Sequence, residues 1–317
     1  MPAPRHTSPV PLFTGSVGLN NKIKPYRLPF SIDSGVCALE KASNVVITST
    51  GELRSIKGTI TIESGIFHSL YPSNKGRGFY VVRQGLETSE LLYGRLGSGS
   101  ISWRILRQNL PRTIKFSYFK YATYVCASSL EYKFRLIEDE LSFWAESDYT
   151  GPETDDFKDF PNCQHIETLA GRALGSVGAI LYFSEYGLHG IYSTISNWIR
   201  VPTTISYLIA VATGVFIATV DEIYFLKGLN PDTWTLELVA NYGAPPYAKS
   251  ASLVDPSNYG LDSSALAGLG LTDEGPALFL QNGSVAPLIN DVVEAKKKCY
   301  TVGAVQPVER LIITSGE

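Results

Sequence analysis

The stretch VPTTISYLIAVATGVFIATV, Val201 to Val220, lies between Arg200 and Asp221 and contains no charged residue. A helix of about 20 apolar residues is long enough to span a bilayer, so length alone permits a membrane crossing. The residues argue against one. Pro202, Thr203, Thr204, Ser206, Thr213, Gly214 and Thr219 interrupt the run, and no cluster of Lys or Arg flanks it to set an orientation. With a period of two, TTISYLIAVA and GVFIATV are two β-rich segments separated at Thr213-Gly214. The second continues through Asp221-Glu222 into IYFLKG, which predicts a hairpin: Val215 to Thr219 out, a tight turn at Val220-Asp221-Glu222, and Ile223 to Leu226 back. Strands buried on both faces read as unbroken apolar runs, so the stretch belongs inside a stack of sheets.

The same unit recurs along the chain. It is found in NVVITSTGELRSIKG (Asn44 to Gly58), GRGFYVVRQGLETSELLYGRL (Gly76 to Leu96) and YATYVCASSLEYKFRLIEDELSFW (Tyr121 to Trp144). It returns in GSVGAILYFSEYGLHGIYS (Gly175 to Ser193), ATGVFIATVDEIYFLKG (Ala212 to Gly228) and EGPALFLQNGSVAPL (Glu274 to Leu288). Each is a strand, a polar or glycine turn, and a second strand. The repeat spacing, on the order of 35 to 60 residues, brackets the length of a four-stranded propeller blade. The expectation is an all-β fold, a β-propeller of about five to seven blades with six the best single value. VERLIITSG near the C-terminus reads as a single unmatched strand that completes the blade begun near the N-terminus. Radial repetition leaves only short, protected strand edges, which suits a chain rich in Val, Ile, Tyr and Phe.

Composition agrees. In 317 residues there are 28 Gly, 18 Tyr and 14 Phe against one Met, a balance that favours aromatic and β-branched strands joined by glycine turns. An apolar fraction of 44% with 18% charge is that of a globular protein with ample core. Residues 1–40 are proline-punctuated and lack strand alternation, so they read as an extended N-terminal arm, with the propeller domain over 41–317. MPAPRHTSPVPLFTGSVG has no apolar core of the signal-peptide kind, so secretory export is not expected. Asn282-Gly283-Ser284 reads as a type I′ hairpin turn rather than a glycosylation site. Cys37, Cys126, Cys163 and Cys299 form no C-x-x-C pair, so reduced and mostly buried thiols are expected. A net charge of −3 gives the whole molecule no electrostatic reason to seek nucleic acid.

With these segments in view, the chain resembles a family. GLNNKIKPYRLPFSIDSGVCALEKASNVVITSTGELRSIKGT (Gly18 to Thr59) is similar to the opening of bacteriophage tail and neck structural proteins of the podophage type. In those proteins a G-[LI]-N-N element precedes an N-V-x-[IV]-x-x-x-G-x-L-x-x-[RK]-x-G strand pair. FHSLY (Phe67 to Tyr71), AGRALGSVGAILYFSE (Ala170 to Glu185), AVATGVFIATVDEIYFLKGLNPDTWTLELVANYGA (Ala210 to Ala244) and GLTDEGPALFLQNGSVAPL (Gly270 to Leu288) look like later segments of the same proteins, in the same order. The resemblance implies a virion tail or neck component with a β-propeller body, made in the host cytoplasm. Such a component assembles with copies of itself and with neighbouring tail or connector proteins around the path of the genomic DNA. The modest length leaves little room for an added receptor-binding or enzymatic domain.

Catalytic motifs are not found. The chain has no G-x-x-x-x-G-K-[ST], H-E-x-x-H or G-x-S-x-G, and lacks the S-x-D-x-G-x-x-W turn of sialidase propellers. His6, His68, His165 and His189 are dispersed, and His68 in IFHSLY reads as a partly buried hydrogen-bonding residue rather than a ligand. Asp148, Glu153, Asp155, Asp156 and Asp159, within ESDYTGPETDDFKDF, could offer oxygens to calcium, but their spacing departs from the D-x-[DN]-x-[DN]-G loop and a solvated rim loop is preferred. The lysines of EAKKKC (Glu294 to Cys299) read as a solvated face, since three would attract nucleic acid only weakly. Arg104, Arg107, Arg112 and Lys115, with Trp103 beside them, form a second basic cluster suited to the acidic loops of a neighbouring subunit. No catalytic, cofactor-binding or metal-ligating residue and no cofactor is assigned, and no sequence-specific nucleic-acid binding is expected. Two functions remain: a structural component of a phage tail or head-to-tail connection, not an enzyme, assembling through its arm and loops into a ring that forms part of the genome conduit, and alternatively a carbohydrate-binding or carbohydrate-cleaving propeller that recognises a bacterial surface.

Overall fold

The structure is a computed structural model that describes residues 15–19, 36–39, 45–47, 53–55, 65–73, 78–97, 100–137, 140–144, 156–250, 253–259, 265–288, 300–305 and 310–315. Side chains are described between 65 and 288, apart from 143, 258 and 259. The chain forms two compact units, one of 1–61 with 289–296 and one of 62–288 with 297–317. In the first unit, β1 (Gly15–Leu19) pairs parallel with β2 (Val36–Leu39), and β3 (Val45–Ile47) pairs antiparallel with β4 (Leu53–Ser55). The β3–β4 hairpin is the one expected in NVVITSTGELRSIKG. A strand at Gly15–Leu19 is not, because it falls in a stretch without apolar alternation.

The second unit is a succession of antiparallel meanders. The first sheet is β5 (Ile66–Pro72), β6 (Gly78–Gln84), β7 (Thr88–Leu96) and β8 (Ile101–Pro111), and the second is β9 (Ser117–Tyr121), β10 (Tyr124–Ser128), β11 (Lys133–Ile137) and β12 (Glu140–Phe143). The short strands β13 (Phe157–Asp159) and β17 (Ile191–Ser193) pair with each other. The third sheet holds β14 (His165–Leu169), β15 (Arg172–Val177), β16 (Ile180–Phe183) and β18 (Trp198–Arg200). The fourth holds β19 (Ile205–Val211), β20 (Gly214–Thr219), β21 (Ile223–Lys227) and β22 (Thr235–Ala240). The fifth is β23 (Gly268–Thr272), β24 (Gly275–Phe279) and β25 (Val285–Pro287). Its inner edge is completed by bridges from Lys249 to Gly270 and from Val254 to Ala267, which lay this segment along the side of β23 away from β24.

From the second sheet onward each sheet meets the next through its first strand: β9 lies against β14, β14 against β19, and β19 against β23. Four-stranded up-and-down sheets arrayed in this way make the protein an all-β propeller. The C-terminal strand β27 (Arg310–Ser315) is not unmatched, because it pairs with β26 (Tyr300–Val305), and both come against β5. The sequence reading missed this partner because TVGAV is short and glycine-interrupted.

The opening stretch is β19 and β20, and among the described residues no helix is long and apolar enough to cross a membrane. Its unbroken apolarity has a direct cause. Leu208, Val215 and Ile217 pack towards the third sheet with Leu169, Leu174 and Leu181, while Tyr207, Ile209, Phe216 and Ala218 pack towards the fifth with Ala277 and Phe279. Alternate residues of one strand thus serve two cores, and each fully buried side chain of this size contributes about 1.5–3 kcal/mol. Gly214 is required where β20 begins, since a Cβ there would run into the Leu226 carbonyl oxygen. The predicted turn follows, and Thr219 braces it: its Oγ1 donates to the Glu222 carbonyl at 2.8 Å and accepts from the Glu222 N–H at 3.0 Å.

The turn at Asn282-Gly283 is present but not of the predicted type. Only Gly283 has a positive φ, +88°, while the Asn282 carboxamide oxygen accepts from the Ser284 N–H at 3.0 Å and hydroxyl at 2.7 Å. That side-chain bond holds Asn282 out of the left-handed region a type I′ turn demands. The turn with both positive angles lies instead at Ala170 (+47°) and Gly171 (+77°), between β14 and β15.

Candidate functional site

The first strands of the sheets bring a group of polar and aromatic side chains together. On β5 the pairing register with β6 shifts between His68 and Tyr71, and Ser69 takes a left-handed φ of +53°. Ser69 Oγ accepts from the Phe116 N–H at 3.0 Å and lies 3.1 Å from His68 Nδ1, so the bulge is tied to the start of the second sheet. On the third sheet, β14 places buried His165 and half-buried Glu167 on the same strand. On the inner segment of the fifth sheet, Tyr247 has a φ of +63° and donates its N–H to the Ser206 carbonyl of β19 at 3.0 Å.

These elements converge. The Lys249 ammonium bonds Glu167 Oε2 at 2.6 Å and the Leu208 carbonyl at 2.5 Å, joining the third, fourth and fifth sheets. The second Glu167 oxygen accepts from the Thr168 N–H at 3.1 Å. The Tyr247 ring lies 4.4 Å from the His165 ring, with the Lys115 ammonium 5.4 Å from its centroid. Tyr71 stacks on Tyr118 at 5.2 Å and lies within electrostatic reach of Glu167. Side chains from the first, second, third and fifth sheets are therefore linked at this level, and the fourth contributes carbonyls. Two residues other than glycine in left-handed backbone, Ser69 and Tyr247, sit within this one cluster. Such conformations cost of order 1–3 kcal/mol each and persist where the surrounding contacts over-determine them.

Burial shifts the titratable groups of this cluster. Burial, then the Lys115 charge, pushes the His68 pKa down to about 4. Burial, then Lys249, takes His165 to about 3 against a hydrogen bond with the Ile205 backbone. Burial pushes the Tyr247 phenol up to about 12 and raises Tyr71 further, with Glu167 the next contributor there. General acid–base catalysis is most efficient when the pKa lies near the operating pH, and all of these shifts lead away from it.

The residues singled out from sequence are scattered. His189 is buried against Tyr121 (4.0 Å) and Phe119 (5.8 Å), and burial lowers it to about 4, opposed by a hydrogen bond with the Gly171 backbone. Cys126 and Cys163 are free and buried, and burial pushes both thiols far up, whereas the Cys37 side chain and Cys299 lie outside the described residues. His6, Asp148, Glu153, Asp155 and the EAKKKC run also lie outside them. Asp156 and Asp159 are exposed, and the Asp156 carbonyl accepts from the Thr194 N–H at 2.8 Å. Among the described residues no three His, Cys, Asp or Glu side chains cluster as a metal site would require. Arg104, Arg107, Arg112 and Lys115 are all exposed on or after β8, and the Lys115 ammonium lies 5.4 Å from the Tyr247 ring centroid. Trp103 is half-buried, stacked on Phe67 at 5.7 Å and edge-on to Phe79 at 5.5 Å. Glu167, Tyr247 and Lys249 were not singled out, because nothing local marks them.

No protein-family model matches the chain, and no curated protein matches it. Among solved structures it is similar to a protein from Lactobacillus plantarum (10% identity, 86% of this chain and 92% of that one, TM-score 0.46). It is also similar to the Pan2 WD40 domain of Neurospora crassa (8% identity, 72% of this chain and 67% of that one, TM-score 0.43). A calcium-binding regucalcin from Agrobacterium tumefaciens is a further likeness (14% identity, 75% of this chain and 77% of that one, TM-score 0.38).

Proposed function

We propose that this chain is a structural subunit of a bacteriophage tail or head-to-tail connection, assembling with its own copies into a ring that forms part of the genome conduit. The observation that carries the reading is the order of the resembling segments, from Gly18-Leu19-Asn20-Asn21 to the hairpin ending at Leu288. The geometry adds two supports. The central cluster is tuned away from proton transfer near neutral pH, which suits a protein that works by packing. The bonds of Lys249 to Glu167 and to the Leu208 carbonyl also tie three sheets together through their first strands, so the conduit for duplex DNA is placed in the hole of a ring of copies rather than along the axis of one propeller.

Light scattering of the full chain across concentration tests this. The expected result is a discrete closed oligomer at high concentration that binds neighbouring tail components. A monomer at every concentration, with a saturable response to a bacterial surface glycan, overturns it in favour of surface recognition.

A further inference from the structure

The outer strands of the sheets differ in how they meet solvent. β8 and β22 are the end strands of the first and fourth sheets, and among the described residues no strand pairs with their outer edges. Natural edge strands are blunted by Lys, Pro or bulges. β25 ends in Pro287, but β22, TLELVA, has neither Lys nor Pro, pairs regularly over 235–238 with its register shift only beyond Leu238, and exposes Leu236 (39%) and Leu238 (50%).

The faces of these two strands are complementary. On β22, Leu236 lies opposite Leu226 and Leu238 opposite Tyr224 on one face, with Glu237 opposite Phe225 on the other. On β8, Trp103 lies opposite Gly94 and Ile105 opposite Leu92 on one face, with Arg104 opposite Tyr93 on the other. Side chains alternate with a period of two, so a single register sets Trp103 and Ile105 beside the two leucines and Arg104 beside Glu237. The ion pair Glu237 already makes is weak, with Lys227 at 3.9 Å and both side chains more than half exposed, so it exchanges readily.

We propose that β22 of one copy adds edge to edge onto β8 of the next, which deepens the ring reading above and rests on it. Every copy carries both halves of the match on different sheets, so the contact is head-to-tail, the kind that closes into rings. A six-residue strand is about 20 Å long, short of a standard interface.

The test is assembly mass by light scattering for the full chain, Arg104→Glu, Glu237→Arg, the double exchange and Leu238→Asp, with circular dichroism confirming that each stays folded. Each single charge reversal is expected to weaken association by about tenfold or more, and the double exchange to restore most of it. Leu238→Asp abolishes assembly. Single variants that assemble like the unaltered chain, or a double exchange that restores nothing, overturn the strand pairing while leaving the ring intact as a reading. An unaltered chain that never assembles overturns both.

Discussion

β20 and the inner segment at Tyr247–Lys249 lie close together in the propeller yet are stabilised in opposite ways. Every residue of β20 is buried, none has unusual backbone, and its side chains divide between two apolar cores. The inner segment is half-buried, carries a left-handed Tyr247, and is held by an ion pair and carbonyl bonds to three sheets. Middle strands have a neighbouring sheet on both faces and need only apolar volume. The first strands also face the shared centre, where backbone ends and side chains from several sheets must satisfy one another.

The widest gap between the two regions should appear on truncation. Phe216→Ala removes a ring packed against Phe225 at 4.6 Å and Phe279 at 5.1 Å, and should cost about 3–5 kcal/mol in urea unfolding. Glu167→Ala should cost about 3 kcal/mol, because it leaves the Lys249 ammonium without its carboxylate. The double change Glu167→Leu with Lys249→Met should recover much of that loss, whereas no second substitution beside Phe216→Ala would do so as simply. If the double change is as unstable as the single one, the centre is held by more than this pair.

Acid should sharpen the same contrast. His68, His165 and His189 are held at about 4, 3 and 4 against an ordinary value of 6.5, so the unfolded chain binds protons more readily. Their contribution is fully present above pH 6.5 and is lost as the pH falls towards 4. Melting temperature should therefore decline over that window, and His165→Asn should flatten the decline. The smallest effect is expected at a turn outside both regions: Ala170→Asn, in the type I′ turn with Gly171, should stabilise by about 0.5–1 kcal/mol.

Much of the fold was legible because strand periodicity is local. The Val215–Thr219 and Ile223–Leu226 hairpin, and those at Gly76–Leu96 and Glu274–Leu288, follow from alternation and turn residues within a few positions. Asn282-Gly283 shows the limit of such reasoning, because the same dipeptide supports two turn geometries and the Ser284 bonds select between them.

The sequence by itself determined that the chain is all-β, where most of its hairpins turn, and that Val201–Val220 is two strands, since each depends on residues close together in the chain. The tertiary structure decided what the centre contains. Lys249 meets Glu167 across 82 positions and Leu208 across 41, separations that leave no local pattern to read. The pairing of β27 with β26, the place of both against β5, and the exposure of β22 were likewise settled only by how the sheets pack, because burial is a property of neighbours that the strand itself does not encode.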